Sequence, residues 1–297
     1  MGKKAFLGLR NLPQWHYHKA MSLSEALQLL DSFDGKAKII AGGTDLIPAL
    51  RAGRLTLGSN THLIDVSHIR ELSYIKEEEG VIKIGAATKL SEIVASEVVR
   101  KHTPVLANAI SQMGSLQIRN LATIGGNLCN ASPAADSAVP LLVLNSAVKL
   151  ASITRERLLP LTDFFVGPGQ TALSQDEILL EIQVPIPNAS AKAVFYKLGR
   201  RNAFTLSVIS VGAYLAKVDN KVLDIRIALG AVAPTPIRAF KAEKYLLHEG
   251  IREEALNKAA RIVAEEISPI SDVRATAWYR REMANNLVKN ILKTIAE

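Results

Sequence analysis

Two short stretches of the chain give up their side chains where a ligand could take the space. One is "AGGTD", Ala41 to Asp45, and the other is "TIGGN", Thr123 to Asn127. Without a Cβ the backbone can come close to a ligand, and successive N–H groups then form a concavity that holds anions such as phosphate oxygens. A helix opening straight after the loop, as "TDLIPAL" would, adds its own unpaired N–H groups and the positive end of its dipole. Thr123 and Asn127 bring side-chain donors to the second loop. Two such loops suit a diphosphate gripped from both sides, whereas either alone is better explained as a turn needing positive φ, and even the pair leaves that reading open. Valine in place of Gly43 or Gly126 is therefore expected to fill the phosphate site in a chain that still folds.

Other chemistries leave no such mark. The chain contains no GxxxxGK[ST] loop, no GxSxG elbow and no HExxH pair. "GPGQTA" (167–172) has the letters of a dinucleotide fingerprint, but Pro168 fixes its middle and too little chain follows for the helix that motif needs. The single cysteine, Cys129, excludes an intrachain disulfide, a four-cysteine zinc site and an iron–sulfur cluster held by this chain alone. It reads as a small buried hydrophobe. His16 and His18 read as a solvated pair. No side chain is marked as catalytic and no set of residues as a metal site.

The elements that position the loops follow from periodicity and caps. Ser22 and Glu25 form a capping box ahead of a helix over 22–34. "AKIIAG" is a buried strand leading into the first glycine pair, and Thr44 or Asp45 caps the next helix. "HLIDV" (62–66) is a strand, and 74–88 forms a hairpin turning at "EEEG", with Thr88 capping a short helix after it. A helix spans about 97–113, and the second glycine pair follows apolar, strand-like residues. A strand near 147–151 and the strand "EILLEIQVP" close this region, and "IPNASAK" is the best linker. Beyond it come three strands, the last two joined across Asp219 and Asn220, and three amphipathic helices near 238–248, 252–266 and 273–295.

Composition agrees with a large soluble chain. Its 297 residues are 48% hydrophobic and 22% charged, and no apolar run reaches the ~18 residues of a membrane span. "MGKKAFLGLRNLPQW" has too short an apolar segment for a secretory signal, so a cytoplasmic location is expected. The net charge of +8 is spread along the chain and aromatics are only 5%, which argues against a nucleic-acid partner.

Six motifs, in order, resemble one family. They are "IIAGGTDLIPALR", "IGAATKLSEI", "IRNLATIGGNLCNASPAADSAVPLL", "FFVGPGQTAL", "FYKLGRRNAFTLSVISVG" and "GAVAPTPIRA". Together they look like the FAD-binding medium subunit of the molybdenum hydroxylases, the family of xanthine dehydrogenase and aerobic carbon monoxide dehydrogenase. The resemblance implies an α+β chain with a two-subdomain FAD-binding fold of the vanillyl-alcohol-oxidase type and a C-terminal antiparallel three-stranded sheet with helices. The expected divisions are 1–60 and 61–187 for the two FAD-binding subdomains and 188–297 for the C-terminal domain.

The same resemblance implies the site. Ile40, Ala41, Gly42, Gly43, Thr44, Asp45 and Leu46 match one loop on the FAD pyrophosphate, and Thr123, Gly125, Gly126 and Asn127 match the other. Asp136 matches an acid that hydrogen-bonds the cofactor, although a cap for "SAVPLLVL" would explain it too. Met113 matches a residue at the adenine end, Thr88 one near the ribityl or ring end, and Leu179 an apolar contact to the isoalloxazine. Lys197 matches a lysine near the flavin ring, where a cation stabilises the anionic reduced form. Arg119 and Asn120 are expected to brace the second loop.

Partners are implied as well. A large subunit would carry molybdenum–pterin and a small one two [2Fe–2S] clusters, assembled as a dimer of heterotrimers. Electrons would pass through FAD here to an external acceptor. The 4-hydroxybenzoyl-CoA reductase branch has extra cysteines that this chain lacks, which favours the hydroxylase or dehydrogenase direction. A stand-alone FAD oxidoreductase and a flavin-less scaffold of the same fold are the alternatives.

Overall fold

The computed structural model describes residues 15–58, 60–201, 205–219 and 221–297. The basic N-terminal segment through Gln14, and Asn220 of the expected hairpin turn, lie outside the described residues.

The chain opens with β1 (His16–Lys19), α1 (Leu23–Ser32), β2 (Ala37–Ile40), α2 (Leu46–Arg51) and β3 (His62–Asp65). Ser22 caps α1 by accepting from the Glu25 amide at 3.2 Å, and Glu25 answers by accepting from the Met21 amide at 2.8 Å. The strands form a parallel sheet in the order β1-β3-β2. β2 ends directly at the first glycine pair. His16 and His18 are not simply solvated: both stack on His62 of the neighbouring strand, which in turn stacks on Phe33 with centroids 3.7 Å apart. Those partners lie far off in sequence.

Next come β4 (Ile75–Glu78), β5 (Val81–Gly85), α3 (Leu90–Ala95), α4 (Glu97–His102), α5 (Pro104–Ser111), α6 (Leu116–Arg119), α7 (Ile124–Cys129) and α8 (Ala138–Val143). They are followed by β6 (Ala147–Ala151), β7 (Glu156–Pro160), α9 (Leu161–Phe164), β8 (Phe165–Gly167), β9 (Gln170–Thr171) and β10 (Ile178–Pro185). Five of these strands make an antiparallel sheet, β4-β5-β10-β6-β7. The single helix expected over 97–113 is divided at Thr103, because Pro104 has no N–H to continue the ladder and disfavours helical backbone before it. α3 begins after Lys89 rather than Thr88. The second glycine pair follows α6, not a strand, and lies in the first turn of α7.

The last part holds β11 (Lys192–Gly199), β12 (Ser207–Val218), β13 (Lys221–Gly230), β14 (Ile237–Arg238), α10 (Phe240–Glu249), α11 (Glu253–Glu266) and α12 (Ala277–Ala296). The expected three-stranded antiparallel sheet gains the two-residue β14 at its edge. Its inner strand β12 is buried for ten residues in succession, since α5 and α8 cover one face and α10 to α12 the other. Residues facing α8, such as Tyr214 and Ala228, join the core of the five-stranded body, while Ile209, Val211 and Leu292 form a second core outside it.

Candidate cofactor-binding site

A cavity of about 580 Å³ opens where β2, the five-stranded sheet and α7 meet, within the range usual for small-molecule sites. Ile40 through Leu46 line it from one side, Thr123, Gly125, Gly126 and Asn127 from another, and Leu179 of β10 from a third. So the two glycine pairs, over 80 residues apart in the chain, converge on one space.

The four glycines do different work there. A Cβ on Gly42 would stand 2.0 Å from the Leu121 carbonyl oxygen, and one on Gly125 would stand 2.6 Å from the Ala86 Cβ. These two glycines let the loops and the strand end close on each other. Gly43 has φ +66, a left-handed conformation that costs any other residue. Gly126 is exposed, and a Cβ there would meet only its own loop's Thr123 Oγ1, at 2.9 Å.

Hydrogen-bond donors divide in the same way. Among the described residues no protein acceptor meets the amides of Gly42, Gly43, Thr44 and Asp45. These N–H groups stand at the start of α2 and suit an anion. The second loop differs from expectation: its amides are already used. Ile124 donates to the Thr88 carbonyl (3.1 Å), Gly125 to Ala86 (2.9 Å), Asn127 to Thr123 (3.0 Å) and Gly126 to Thr123 Oγ1 (3.0 Å). What this loop keeps for a ligand is the Thr123 hydroxyl proton and the Asn127 side-chain amide, whose Oδ1 accepts from Ser137 at 2.6 Å. Burial raises the Asp45 carboxyl pKa, against the pull of Arg54.

Further lining residues carried no signal in the sequence. Lys38 of β2, Asn130, and Ser174 and Gln175 of the loop before β10 reach the cavity only through tertiary packing. That loop is fixed by Glu177, which accepts from Arg157 Nε at 2.8 Å and Nη2 at 2.7 Å and from the Ser174 amide at 2.9 Å. The Arg157 guanidinium holds the Glu177 carboxyl down to about 2. A depressed carboxyl contributes stability above its unfolded pKa of 4.5 and loses it as pH falls toward 2. Arg157→Met should thus cost about 1–3 kcal/mol at neutral pH, because it leaves the buried Glu177 carboxylate with only Arg155, at 3.4 Å, and the Ser174 amide. Urea unfolding at pH 7 and at pH 3 would check this, with the difference from the parent chain shrinking at the lower pH. Cys129 also lines the cavity, and burial pushes its thiol up to about 12, as suits an inert small hydrophobe.

Residues 12–187 match the family described as "FAD binding domain in molybdopterin dehydrogenase", and residues 194–295 match "CO dehydrogenase flavoprotein C-terminal domain". The chain belongs to the FAD-binding medium subunits of the molybdenum hydroxylases. It is 34% identical to the glyceraldehyde dehydrogenase medium chain of Sulfolobus acidocaldarius, over 96% of this chain and 99% of that one. It is 31% identical to the xanthine dehydrogenase FAD-binding subunit of Escherichia coli O157:H7, over 93% and 94%. The solved carbon monoxide dehydrogenase from Hydrogenophaga pseudoflava that lacks the Mo-pyranopterin moiety superposes with a TM-score of 0.91 at 32% identity, covering 96% of this chain and 98% of that one. This medium subunit is thus part of an oxidoreductase and carries an FAD-binding domain.

Four expected site residues of the medium subunit stand behind the cavity lining. Thr88 is buried, with its hydroxyl donating to the Tyr74 carbonyl (3.0 Å) and accepting from the Tyr74 amide (3.1 Å). Since its own carbonyl receives Ile124, it braces the second loop. The Met113 side chain packs on the main core, and its carbonyl accepts from Arg119 Nη1 at 2.8 Å. Lys197 of β11 and Asp136 form a buried ion pair at 2.7 Å, with Ser207 Oγ also donating to Asp136 and Lys197 also donating to the Gln112 carbonyl. Asp136 makes no cap bond to α8. Among the described residues no cluster of three or more His, Cys, Asp or Glu is placed to hold a metal, and no helix is long and apolar enough to cross a membrane.

Proposed function

We propose that this chain holds FAD between its two glycine turns and serves as the outlet for electrons released by substrate oxidation on a large molybdenum–pterin subunit. Two [2Fe–2S] clusters on a small subunit deliver the electrons, an external acceptor removes them, and the assembly is a dimer of heterotrimers. The reading rests on one observation: the free amides of Gly42 to Asp45 face the same cavity as Thr123 and Asn127. Bound FAD would supply the exchange between two-electron and one-electron chemistry.

The chain's own residues then have distinct tasks. Ile40 to Leu46 line the pyrophosphate site and the amides of Gly42 to Asp45 donate to it, while Thr123 and Asn127 add a hydroxyl and a carboxamide proton from the other side. Gly126 leaves the space a phosphate needs. Leu179 walls off water with an apolar surface. Lys197, balanced by Asp136, places a cation behind the cavity wall, while Thr88 and Met113 support the walls.

The purified chain should show flavin absorption bands near one equivalent and release FAD, not FMN, on heating. Gly126→Val should lower FAD affinity at least about tenfold with only a small change in thermal midpoint, since Thr123 Oγ1, at 2.9 Å, is the one atom within 4 Å of the new Cβ. Full FAD retention in that variant would overturn the two-turn assignment. Gly43→Val is a less clean test than the sequence suggests, because φ +66 adds a folding cost of its own.

A further inference from the structure

We infer that Gln175 is a latch across the mouth of the cofactor cavity, a side chain that bridges its two walls and slows the departure of bound FAD. The inference deepens the cofactor reading above and rests on it. Gln175 and Gly35 both line the cavity and are both exposed, so they meet at its opening. They come from opposite walls. Gly35 lies in the turn between α1 and β2, and Gln175 in the loop that leads into β10 of the five-stranded sheet. A Cβ on Gly35 would stand 2.4 Å from Gln175 Oε1 and 3.1 Å from its Cδ. The carboxamide therefore occupies space that any residue other than glycine would fill.

Both footings of this bridge are fixed. Gln175 stands at the tip of a tight turn in which the Glu177 amide donates to the Ser174 carbonyl at 3.1 Å, while the Glu177 carboxylate holds the Ser174 amide in return. On the other wall Gly35, with φ +76, follows Asp34 with φ +44. There the Lys36 amide donates to the Phe33 carbonyl at 2.9 Å, and the Lys36 carbonyl accepts from the His62 amide at 2.9 Å. The bridge itself is not tied down: among the described residues the Gln175 side chain has no hydrogen-bond partner. A side chain held only by contact turns aside with a change of rotamer, on a far shorter timescale than the walls could part.

That combination suits a gate. A dinucleotide whose diphosphate rests on the amides of Gly42 to Asp45 lies between these walls, and it leaves only as the mouth opens. A side chain spanning the mouth then governs rates of entry and release, as lids do elsewhere. Reach matters here, not the polarity of the carboxamide, because what Gln175 meets on Gly35 is bare backbone.

The test uses the full chain loaded with FAD, with release followed by the gain in flavin fluorescence on dilution. Gln175→Ala, and Gln175→Asn, one methylene short of Gly35, should release FAD at least about tenfold faster. Gln175→Met, apolar but of matching length, should release it at the parent's rate. The thermal midpoint of the flavin-free chain should be unchanged in all three. Cys129, the single cysteine, lines the same cavity, so its labelling by a small thiol reagent in the flavin-free chain reads access without FAD. Labelling should quicken severalfold in the alanine and asparagine variants and not in the methionine one. Parent-like release from Gln175→Ala, a methionine variant as fast as the alanine one, or faster release without faster labelling would each overturn the latch. A parent chain that takes up no FAD would sink the cofactor reading, while the labelling rates would still decide whether Gln175 closes the mouth.

Discussion

Replacing Gly42 by alanine is expected to separate the two glycine turns and yield a chain that loses both FAD and its native thermal midpoint. The new Cβ would lie 2.0 Å from the Leu121 oxygen and 2.6 Å from the Leu121 carbonyl carbon, and both are backbone atoms that no rotamer change can move. Overpacking against side chains costs about 1–3 kcal/mol, and a clash with fixed backbone lies at or above the top of that range. Gly43→Ala meets only the Ile47 and Ile40 side chains, at 3.4 and 3.5 Å, so its cost is the left-handed conformation, about 1–2 kcal/mol. The order of destabilisation should therefore be Gly42, then Gly43, then Gly126. Differential scanning calorimetry of the three alanine variants checks it, and a Gly42→Ala chain as stable as the parent would show that the turns do not touch as described.

Lys197→Met should destabilise the chain by about 3–5 kcal/mol, because Asp136 would be left as a buried carboxylate with only Ser207 to satisfy it. The pair ties the segment before α8 to β11, and Ser207 brings in β12, so one substitution loosens the joint between the five-stranded body and the C-terminal sheet. Adding Asp136→Leu to Lys197→Met should recover most of the loss, since an apolar pair of similar volume leaves no unpaired charge. Equilibrium urea unfolding of both single variants and the double variant gives the coupling directly. A Lys197→Met chain with the parent's midpoint would mean that the pair contributes nothing to the joint.

These two predictions differ in what could be seen beforehand. Gly42 was marked in the sequence, because two adjacent glycines after an apolar run are a local signal, and the Ser22 and Glu25 capping box and the hairpin at "EEEG" were legible for the same reason. The break at Thr103 was there to be read in Pro104. The stacking of His16 and His18 on His62 and Phe33 was not, nor was Glu177 on Arg157, since each joins residues brought together only by strand pairing and loop packing. Asp136 and Lys197 were singled out separately, each with a cofactor role. That they face each other at 2.7 Å across 61 residues appears only in the folded chain.

Residue types and short spacings by themselves determined where the backbone could come close to a ligand, which segments alternate as strands or helices, and that no metal cluster could be held by a lone cysteine. Tertiary structure alone decided which glycine serves which purpose. Gly42 and Gly125 lack a side chain because another part of the protein occupies that space, Gly43 because of its φ, and Gly126 because the space is open. The physical reason is that a missing Cβ is a local fact, whereas what fills its place depends on contacts between segments distant in sequence, and those exist only once the sheets and helices have packed.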